Sequence, residues 1–284
     1  MAGPVTFDQH PSETLRAGEG FRLSSVDPDS TPGYSGTKDD GRALLAGMDG
    51  TLTELQEKLF AASRFGSRQR ILLILQAMDT AGKGGIVNHV MAAMDPQGVQ
   101  FKAFKAPTDE EKSYDFLWRI EKEVPAVGMV GVFDRSHYED VLIHRVHRWA
   151  TPDEIKRRYV AINEFEARLV DSGTTVVKVM LHISGDEQKS RLLARLDDPT
   201  KHWKYNRGDL DERAFWEDYM EAYQAAIDAT STRNAPWHVV PANKKWYARI
   251  AVQQLLLGAM EGMNLEWPKA EFDVATEREL VARS

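Results

Sequence analysis

The residues of this chain best suited to chemistry lie in a short loop between an apolar run and a predicted helix. Residues 71–77 predict a buried strand, and residues 86–94 predict the helix. A strand, a glycine–lysine loop and a helix in succession can bind phosphate, because backbone N–H groups point at the anion while the lysine ammonium reaches the outer phosphates. The candidate phosphate-binding residues of the loop are Ala81, Gly82, Lys83, Gly84 and Gly85.

The loop departs at two positions from the nucleotide-binding consensus G-x-x-x-x-G-K-[ST]. Ala77 stands in place of the first glycine, and Gly84 stands where a hydroxyl side chain would bind magnesium. Asp79, inside the loop, is the nearest candidate to take over the metal. The alternative is an ordinary glycine-rich turn that carries a surface lysine.

A second apolar strand, predicted at residues 127–133, ends in a carboxylate at Asp134. This is the form of a Walker B element, whose carboxylate holds magnesium or its water shell beside the phosphates. Arg135 follows directly. It serves either to neutralise phosphate or to pair with the aspartate and fix the end of the strand.

Two further basic pairs are candidates for binding a polyanion. Arg191 and Arg195 lie four residues apart on a predicted helix, so they share one face and could be delivered to the phosphates by a mobile lid. The alternative for them is a solvated helix with surface salt bridges. Lys102 and Lys105, on the strand predicted at residues 99–105, could line a groove for a polymeric donor.

Apolar strand patterns alternate with helical patterns along most of the chain. The remaining strands are predicted at residues 99–105, 174–183 and 237–241, and Thr108 and Thr151 begin capping boxes that open two of the helices. The alternation predicts an α/β fold with a mostly parallel sheet, helices on both faces and a site at the carboxyl ends of the strands. We interpret residues 1–50 as a partly irregular N-terminal extension and 51–284 as one domain that carries the phosphate-binding loop, with a lid at about 184–216.

Composition narrows the classes of function. The net charge of −7 argues against nucleic-acid binding driven by bulk charge, so a polyanionic substrate must meet a local basic cluster. The chain has no apolar run of about 18 residues, so we expect no membrane partner. The absence of cysteine excludes thiol chemistry and favours a cytoplasmic location.

Three classes of protein remain: a phosphotransferase, a nucleotide-driven ATPase or GTPase switch, and a non-catalytic nucleotide-binding module. A GTPase needs an Asn-Lys-x-Asp string, and the nearest string, Asn243-Lys-Lys-Trp246, has tryptophan in place of the aspartate. Phosphoryl transfer to a phosphate needs metal carboxylates and several arginines together. The attacking oxygen is already anionic, so the barrier lies in bringing two polyanions together.

Three segments in combination resemble the polyphosphate kinase 2 family, and the resemblance extends from about residue 52 to 257. Trp203-Lys204 and Lys245-Trp-Tyr-Ala-Arg249 add to it. The three segments are Gln76-Ala-Met-Asp-Thr-Ala-Gly-Lys-Gly-Gly85, Phe133-Asp-Arg-Ser-His-Tyr-Glu-Asp-Val-Leu142 and Arg191-Leu-Leu-Ala-Arg-Leu-Asp-Asp-Pro199.

The resemblance implies a three-layer, thymidylate-kinase-like P-loop fold and reversible, Mg²⁺-dependent phosphoryl transfer from inorganic polyphosphate to ADP. It implies that Asp79 and Asp134 organise Mg²⁺, for which Mn²⁺ is an alternative, and that Lys83 and Arg135 bind phosphates. Arg191 and Arg195 become the arginines of the lid. Further candidate phosphate- or nucleotide-binding residues are Glu139, Asp140 and Lys204.

The residues indicate two alternatives for the nucleotide that accepts the phosphoryl group. The string His137-Tyr-Glu-Asp-Val-Leu142 resembles the branch of the family that uses AMP as well as ADP, whereas Asp134 resembles the ADP-using branch. Guanine nucleotides are further candidates, and the resemblance implies a homodimer or homotetramer. The alternatives are an ATP-dependent nucleotide or small-molecule kinase, which shares the loop, the carboxylate and the lid, and a nucleotide-binding ATPase or switch module.

Overall fold

A computed structural model describes residues 5–284 and shows an α/β fold around one five-stranded sheet. Every strand pair is parallel, in the order β2-β3-β1-β4-β5. The predictions of an α/β fold and a parallel sheet are confirmed. The strands are β1 (Arg70–Ala77), β2 (Val99–Ala103), β3 (Val130–Asp134), β4 (Thr174–His182) and β5 (Trp237–Pro241).

Helices cover both faces of this sheet, so the fold has three layers. Ile71, Leu73 and Leu75 of β1 face a core shared with α2, α3 and α10, while Leu72 and Ile74 face a core shared with α5, α6 and α9. The helices are α1 (Pro11–Thr14), α2 (Lys38–Ser63), α3 (Lys83–Ala92), α4 (Trp118–Glu121), α5 (Glu139–Val146), α6 (Pro152–Asp171), α7 (Gly185–Asp197), α8 (Arg207–Glu212), α9 (Trp216–Thr230), α10 (Lys245–Glu261) and α11 (Val274–Arg283).

The strand order places the carboxyl ends of β1 and β3 side by side in the middle of the sheet. Leu75 of β1 lies opposite Asp134 of β3 in the register. The chain leaves β1 toward β2 at one edge and leaves β3 toward β4 on the other side of β1. A crevice for ligands forms at such a switch point, so the sheet itself brings the two sequence motifs together.

One predicted helix is largely replaced by turns. The Thr108 capping box forms, with Thr108 N–H donating to Glu111 Oε2 at 2.7 Å and Glu111 N–H donating to Thr108 Oγ1 at 3.2 Å. The turn that it opens is a 3₁₀ turn and ends at Tyr114, whose backbone is extended. The four-residue α4 starts separately, after Asp115 accepts a hydrogen bond from Leu117 N–H.

The N-terminal segment packs against the edge of the sheet. Val239 N–H donates to Leu15 O, and Ala17 N–H donates to Trp237 O, both at 2.8 Å. Helix α2 begins after Thr37, which forms a capping box with Asp40. The domain boundary that we placed at residue 50 therefore falls inside α2. No helix between residues 5 and 284 is both long and apolar enough to cross a membrane.

A buried ion pair lies directly behind the second motif. The Lys178 ammonium on β4 donates to Glu166 Oε2 at 2.7 Å, to Tyr138 Oη at 2.9 Å and to Thr230 O at 2.7 Å, so its three N–H groups all have acceptors. Neither charged side chain is more than 1% exposed. An ion pair shielded from water in this way is strongly destabilised when one partner is removed, because the remaining charge stays buried.

We therefore predict that Glu166→Gln lowers the free energy of unfolding by about 3–5 kcal/mol, because it leaves the Lys178 ammonium without a counter-charge. Urea unfolding followed by circular dichroism measures this. Glu121→Gln, which removes the exposed partner of Arg168, is the control and should cost less than about 1 kcal/mol. Equal losses in the two variants would show that the buried pair is not a main stabilising contact.

Candidate active site

The glycine–lysine loop joins β1 to α3 in a conformation that few residues adopt. Gly82 caps α3 with φ at +114°, and Thr80 has φ at +66°, in the left-handed region that is uncommon for a residue with a side chain. Such conformations cluster at functional sites. Lys83 Nζ donates to Ala77 O at 3.1 Å, so the ammonium lies at the end of β1 beside the N-terminus of α3. This end of the helix is suited to an anion.

The second motif faces the loop across the crevice. Arg135, with φ at +65°, donates from Nη2 to Asp79 Oδ1 at 2.7 Å. Burial opposes the charge of Arg135, but the carboxylates of Glu139, Asp79 and Asp134 raise the pKa of its guanidinium, which therefore stays protonated. The Asp134 carboxylate forms no hydrogen bond or ion pair with any residue from 5 to 284.

Asp79 and Asp134 are the carboxylates on the wall of the crevice and the candidate metal ligands. In the part of the chain that the structure describes, His, Cys, Asp and Glu form no cluster of three or more that could enclose a metal ion. Mg²⁺ usually takes one or two carboxylates and completes its octahedron with water and substrate phosphates. The oxygen donors present therefore fit Mg²⁺ shared with phosphate and do not fit a closed protein cage.

The two motifs open onto a cleft of about 920 Å³ with a strongly positive lining. Nine lysine and arginine residues contribute to the lining, against the two aspartates. A protein of net charge −7 thus concentrates positive charge at one place, as binding of polyanions requires. The basic residues are Lys83, Lys105, Arg135, Arg191, Arg195, Lys201, Lys204, Lys245 and Arg249.

Arg191 and Arg195 share a helix face but lie in different environments. The Arg191 guanidinium is buried and donates to four backbone carbonyls: Thr80 O and Ala81 O in the loop, and Ala242 O and Asn243 O after β5. Its contacts join α7 to the loop. The sequence predicted Arg191 and Arg195 as two lid arginines on one helix face and did not indicate these contacts. Arg195 is more exposed and donates to Asp209 Oδ2 and Lys204 O, both at 3.1 Å.

The structure brings most of the candidate residues into the cleft and leaves three outside its lining. Lys102 pairs with Glu123 on the other side of β2. Asp140 is buried, and its Oδ2 lies 3.4 Å from Arg119 Nη2. Glu139 is half-buried near Arg135; partial burial raises the pKa of its carboxyl, and Arg135 and Lys83 partly oppose that rise. Ala81, Gly82, Gly84, Gly85, Lys105 and Lys204 all line the cleft, as do the two aspartates, Lys83 and the three arginines.

Sequence reasoning assigned no role to several residues of the cleft. Lys245 and Arg249 lie one turn apart on α10, so the spacing rule that selected Arg191 and Arg195 would have found them as well. Lys201 and Trp203 also line the cleft, from the segment after α7. Gln188 Nε2 donates to Asp79 O at 3.1 Å and so supports the backbone of the loop. No pattern in the sequence indicates that contact.

Comparison with known proteins agrees with this geometry. The crystal structure of polyphosphate kinase 2 from Arthrobacter aurescens TC1 superposes with a TM-score of 0.98, at 71% identity over 100% of both chains. The AMP/ADP-polyphosphate phosphotransferase of Meiothermus ruber is 44% identical over 88% of this chain and 92% of its own. The ADP-polyphosphate phosphotransferase of Rhodopseudomonas palustris is 39% identical over 91% of this chain and 92% of its own.

The family model described as Polyphosphate kinase 2 (PPK2) matches residues 35–268. This range contains both motifs, the α7 arginines and the basic residues of α10. The match covers well over half of the chain and agrees with the resemblance of its three motif segments. The chain therefore belongs to the polyphosphate kinase 2 family.

Proposed function

We propose that this protein transfers a phosphoryl group reversibly between inorganic polyphosphate and a nucleoside diphosphate, forming ATP from ADP. The observation that carries the proposal is the lining of the cleft, with nine basic residues around two carboxylates at the end of β1 and β3. This is the charge arrangement needed to hold two polyanions in contact. The names of the Meiothermus and Rhodopseudomonas relatives support the substrate class.

The role of each residue follows from its position in the cleft. Lys83 and the N-terminal N–H groups of α3 bind the phosphates at the reacting end, and Arg135 and Arg195 neutralise charge on the transferred group. Mg²⁺, held by Asp79 and Asp134, would supply further neutralisation and orient the phosphates. A phosphate acceptor is already ionised at neutral pH, so the site needs no side chain acting as a base.

The proposal also includes a second acceptor, a metal ion, a cellular location and an assembly. AMP is a second acceptor in the proposal, supported by the His137-Tyr-Glu-Asp-Val-Leu142 string and by the name of the Meiothermus relative. Mg²⁺ is supported by the oxygen ligands of the crevice, with Mn²⁺ as an alternative. The cytoplasmic location is supported by the absence of cysteine. Assembly as a homodimer or homotetramer is supported by the family resemblance alone.

ATP formation with Mg²⁺ and long-chain polyphosphate, measured separately from ADP and from AMP, tests the function. We expect ATP from ADP, and at least about a 100-fold loss in kcat for Lys83→Ala, because a donor aimed at the transferring phosphate is removed. Lys156→Ala, on the exposed surface of α6, is the control. No product from either acceptor with folded protein would reject the proposal in favour of an ATP-dependent kinase. ADP from AMP would establish the second acceptor.

Lys102 and Lys105 form a matched pair for locating the donor. Lys105 lines the cleft, whereas Lys102 is paired with Glu123 outside it. We predict that Lys105→Glu raises KM for long-chain polyphosphate about fivefold, from loss of about 1 kcal/mol, while Lys102→Glu leaves it within about twofold. Initial rates at saturating ADP measure both. A larger effect from Lys102→Glu would place the polymer on the opposite side of β2.

A further inference from the structure

A histidine at the end of α5 holds the segment of chain that returns from the lid. His147 Nε2 lies 3.0 Å from Glu212 Oε1 and 2.9 Å from Glu212 Oε2, and Glu212 is the last residue of α8. A carboxylate only accepts hydrogen bonds, so Nε2 carries a proton and donates. Tyr219 Oη, on α9, donates to Glu212 Oε2 at 2.7 Å. Glu212 therefore joins α8 to both α5 and α9.

Local contacts at the end of α5 fix the orientation of His147. Arg148, the next residue, has φ at +55°, in the left-handed region where glycine is usual after a helix. Its N–H donates to Arg145 O at 3.2 Å, and Trp149 N–H donates to His144 O at 2.9 Å. These are the two hydrogen bonds of a Schellman motif. The turn stacks the Trp149 indole on the His147 ring, at 5.0 Å between centroids, so the imidazole is held in place.

The contact between His147 and Glu212 is partly shielded from water. The two side chains are 20% and 29% exposed, and the Phe215 ring packs 4.8 Å from the His147 ring. Burial and the hydrogen bond to Glu212 raise the pKa of Tyr219, whose hydroxyl therefore stays protonated and donates. Hydrogen bonds to a carboxylate are stronger than those between neutral groups. The contact is thus a firm attachment of α8 to α5.

The same short helix holds one of the cleft arginines. Asp209 lies three residues before Glu212 on α8, and its Oδ2 accepts from Arg195 Nη1 at 3.1 Å. Burial and the charge of Asp79 raise the pKa of the Asp209 carboxyl. Arg195 and Arg135 oppose that rise. Asp209 therefore lies within the field of both motifs, and it holds Arg195 at that end of the cleft.

The residue after α8 attaches this segment to α7. Arg213 Nη1 donates to Gly185 O at the start of α7 and to Gln188 Oε1. Gln188 in turn supports the backbone of Asp79. Because Arg213 joins the end of α8 to α7 and His147 joins it to α5, the position of α8 is set relative to both motifs.

We infer that His147 is a positioning residue that acts on Arg195 through α8. It fixes one end of α8 through Glu212, and Asp209 on the same helix directs the guanidinium of Arg195. The inference rests on the proposed function, in which Arg195 neutralises charge on the transferred phosphoryl group. His147 lies outside the lining of the cleft, so its loss lowers kcat and leaves substrate binding largely unchanged.

Two amide substitutions of His147 form a matched pair. His147→Gln places an amide nitrogen close to the position of Nε2, whereas His147→Asn places it close to the position of Nδ1, out of reach of Glu212. We expect His147→Gln to keep kcat for ATP formation within about twofold of wild type and His147→Asn to lower it about tenfold. KM for ADP and for long-chain polyphosphate should stay within about twofold in both. Equal kcat values in the two variants would overturn the inference.

A double-mutant cycle with Arg195→Ala tests whether His147 acts through that arginine. We expect His147→Asn to lower kcat about tenfold when Arg195 is present and less than about twofold when it is absent. A tenfold loss in both backgrounds would overturn the inference, because His147 would then support the fold in general.

The outcomes separate this inference from the proposed function. If wild-type protein forms ATP from long-chain polyphosphate but neither His147 variant changes kcat, the positioning role is wrong and the function stands. If the wild-type protein forms no ATP from any polyphosphate, the proposed function itself fails.

Discussion

Electrostatic repulsion opposes the transfer of a phosphoryl group from one polyanion to another. A nucleotide and a phosphate polymer approach each other only if the protein supplies concentrated positive charge, yet this chain carries a net charge of −7. The cleft resolves the conflict by gathering nine lysines and arginines while admitting two aspartates. A lysine or arginine attracts a polyanion strongly only where the protein's own carboxylates do not already neutralise it.

Contacts within the protein hold three arginines of the cleft in place. Arg191 is held by four carbonyl oxygens and by Glu187, which does not line the cleft, and so joins α7 to the glycine–lysine loop. Arg135, in a left-handed conformation, is aimed at Asp79. The buried network of Lys178, Glu166 and Tyr138 stabilises the segment that follows Arg135.

The sheet and the two central motifs could be predicted because both depend on short segments of sequence. An apolar run predicts a strand, and in a parallel sheet the residues that follow the strands lie at the site. The burial of Arg191 could not be predicted, because its four carbonyl partners belong to loops that are distant in the sequence. Pairing of Lys102 with Glu123 likewise joins residues 21 positions apart, which no periodic pattern connects. The sequence did not predict the turns at residues 108–121. The capping box forms, but the extended backbone of Tyr114 ends the helix after one 3₁₀ turn. Lys245 and Arg249 could have been predicted from their four-residue spacing on a helix alone.

We propose that the cleft holds both polyanions together and that the phosphoryl group passes directly between them. A single-turnover experiment with ³²P-labelled polyphosphate and excess enzyme, quenched in neutral denaturant, tests it most directly. We expect label to appear in ATP when ADP is present and no label to stay on the protein, with or without nucleotide. Label retained on the protein before ADP is added, and then chased into ATP, would contradict it by showing a covalent intermediate.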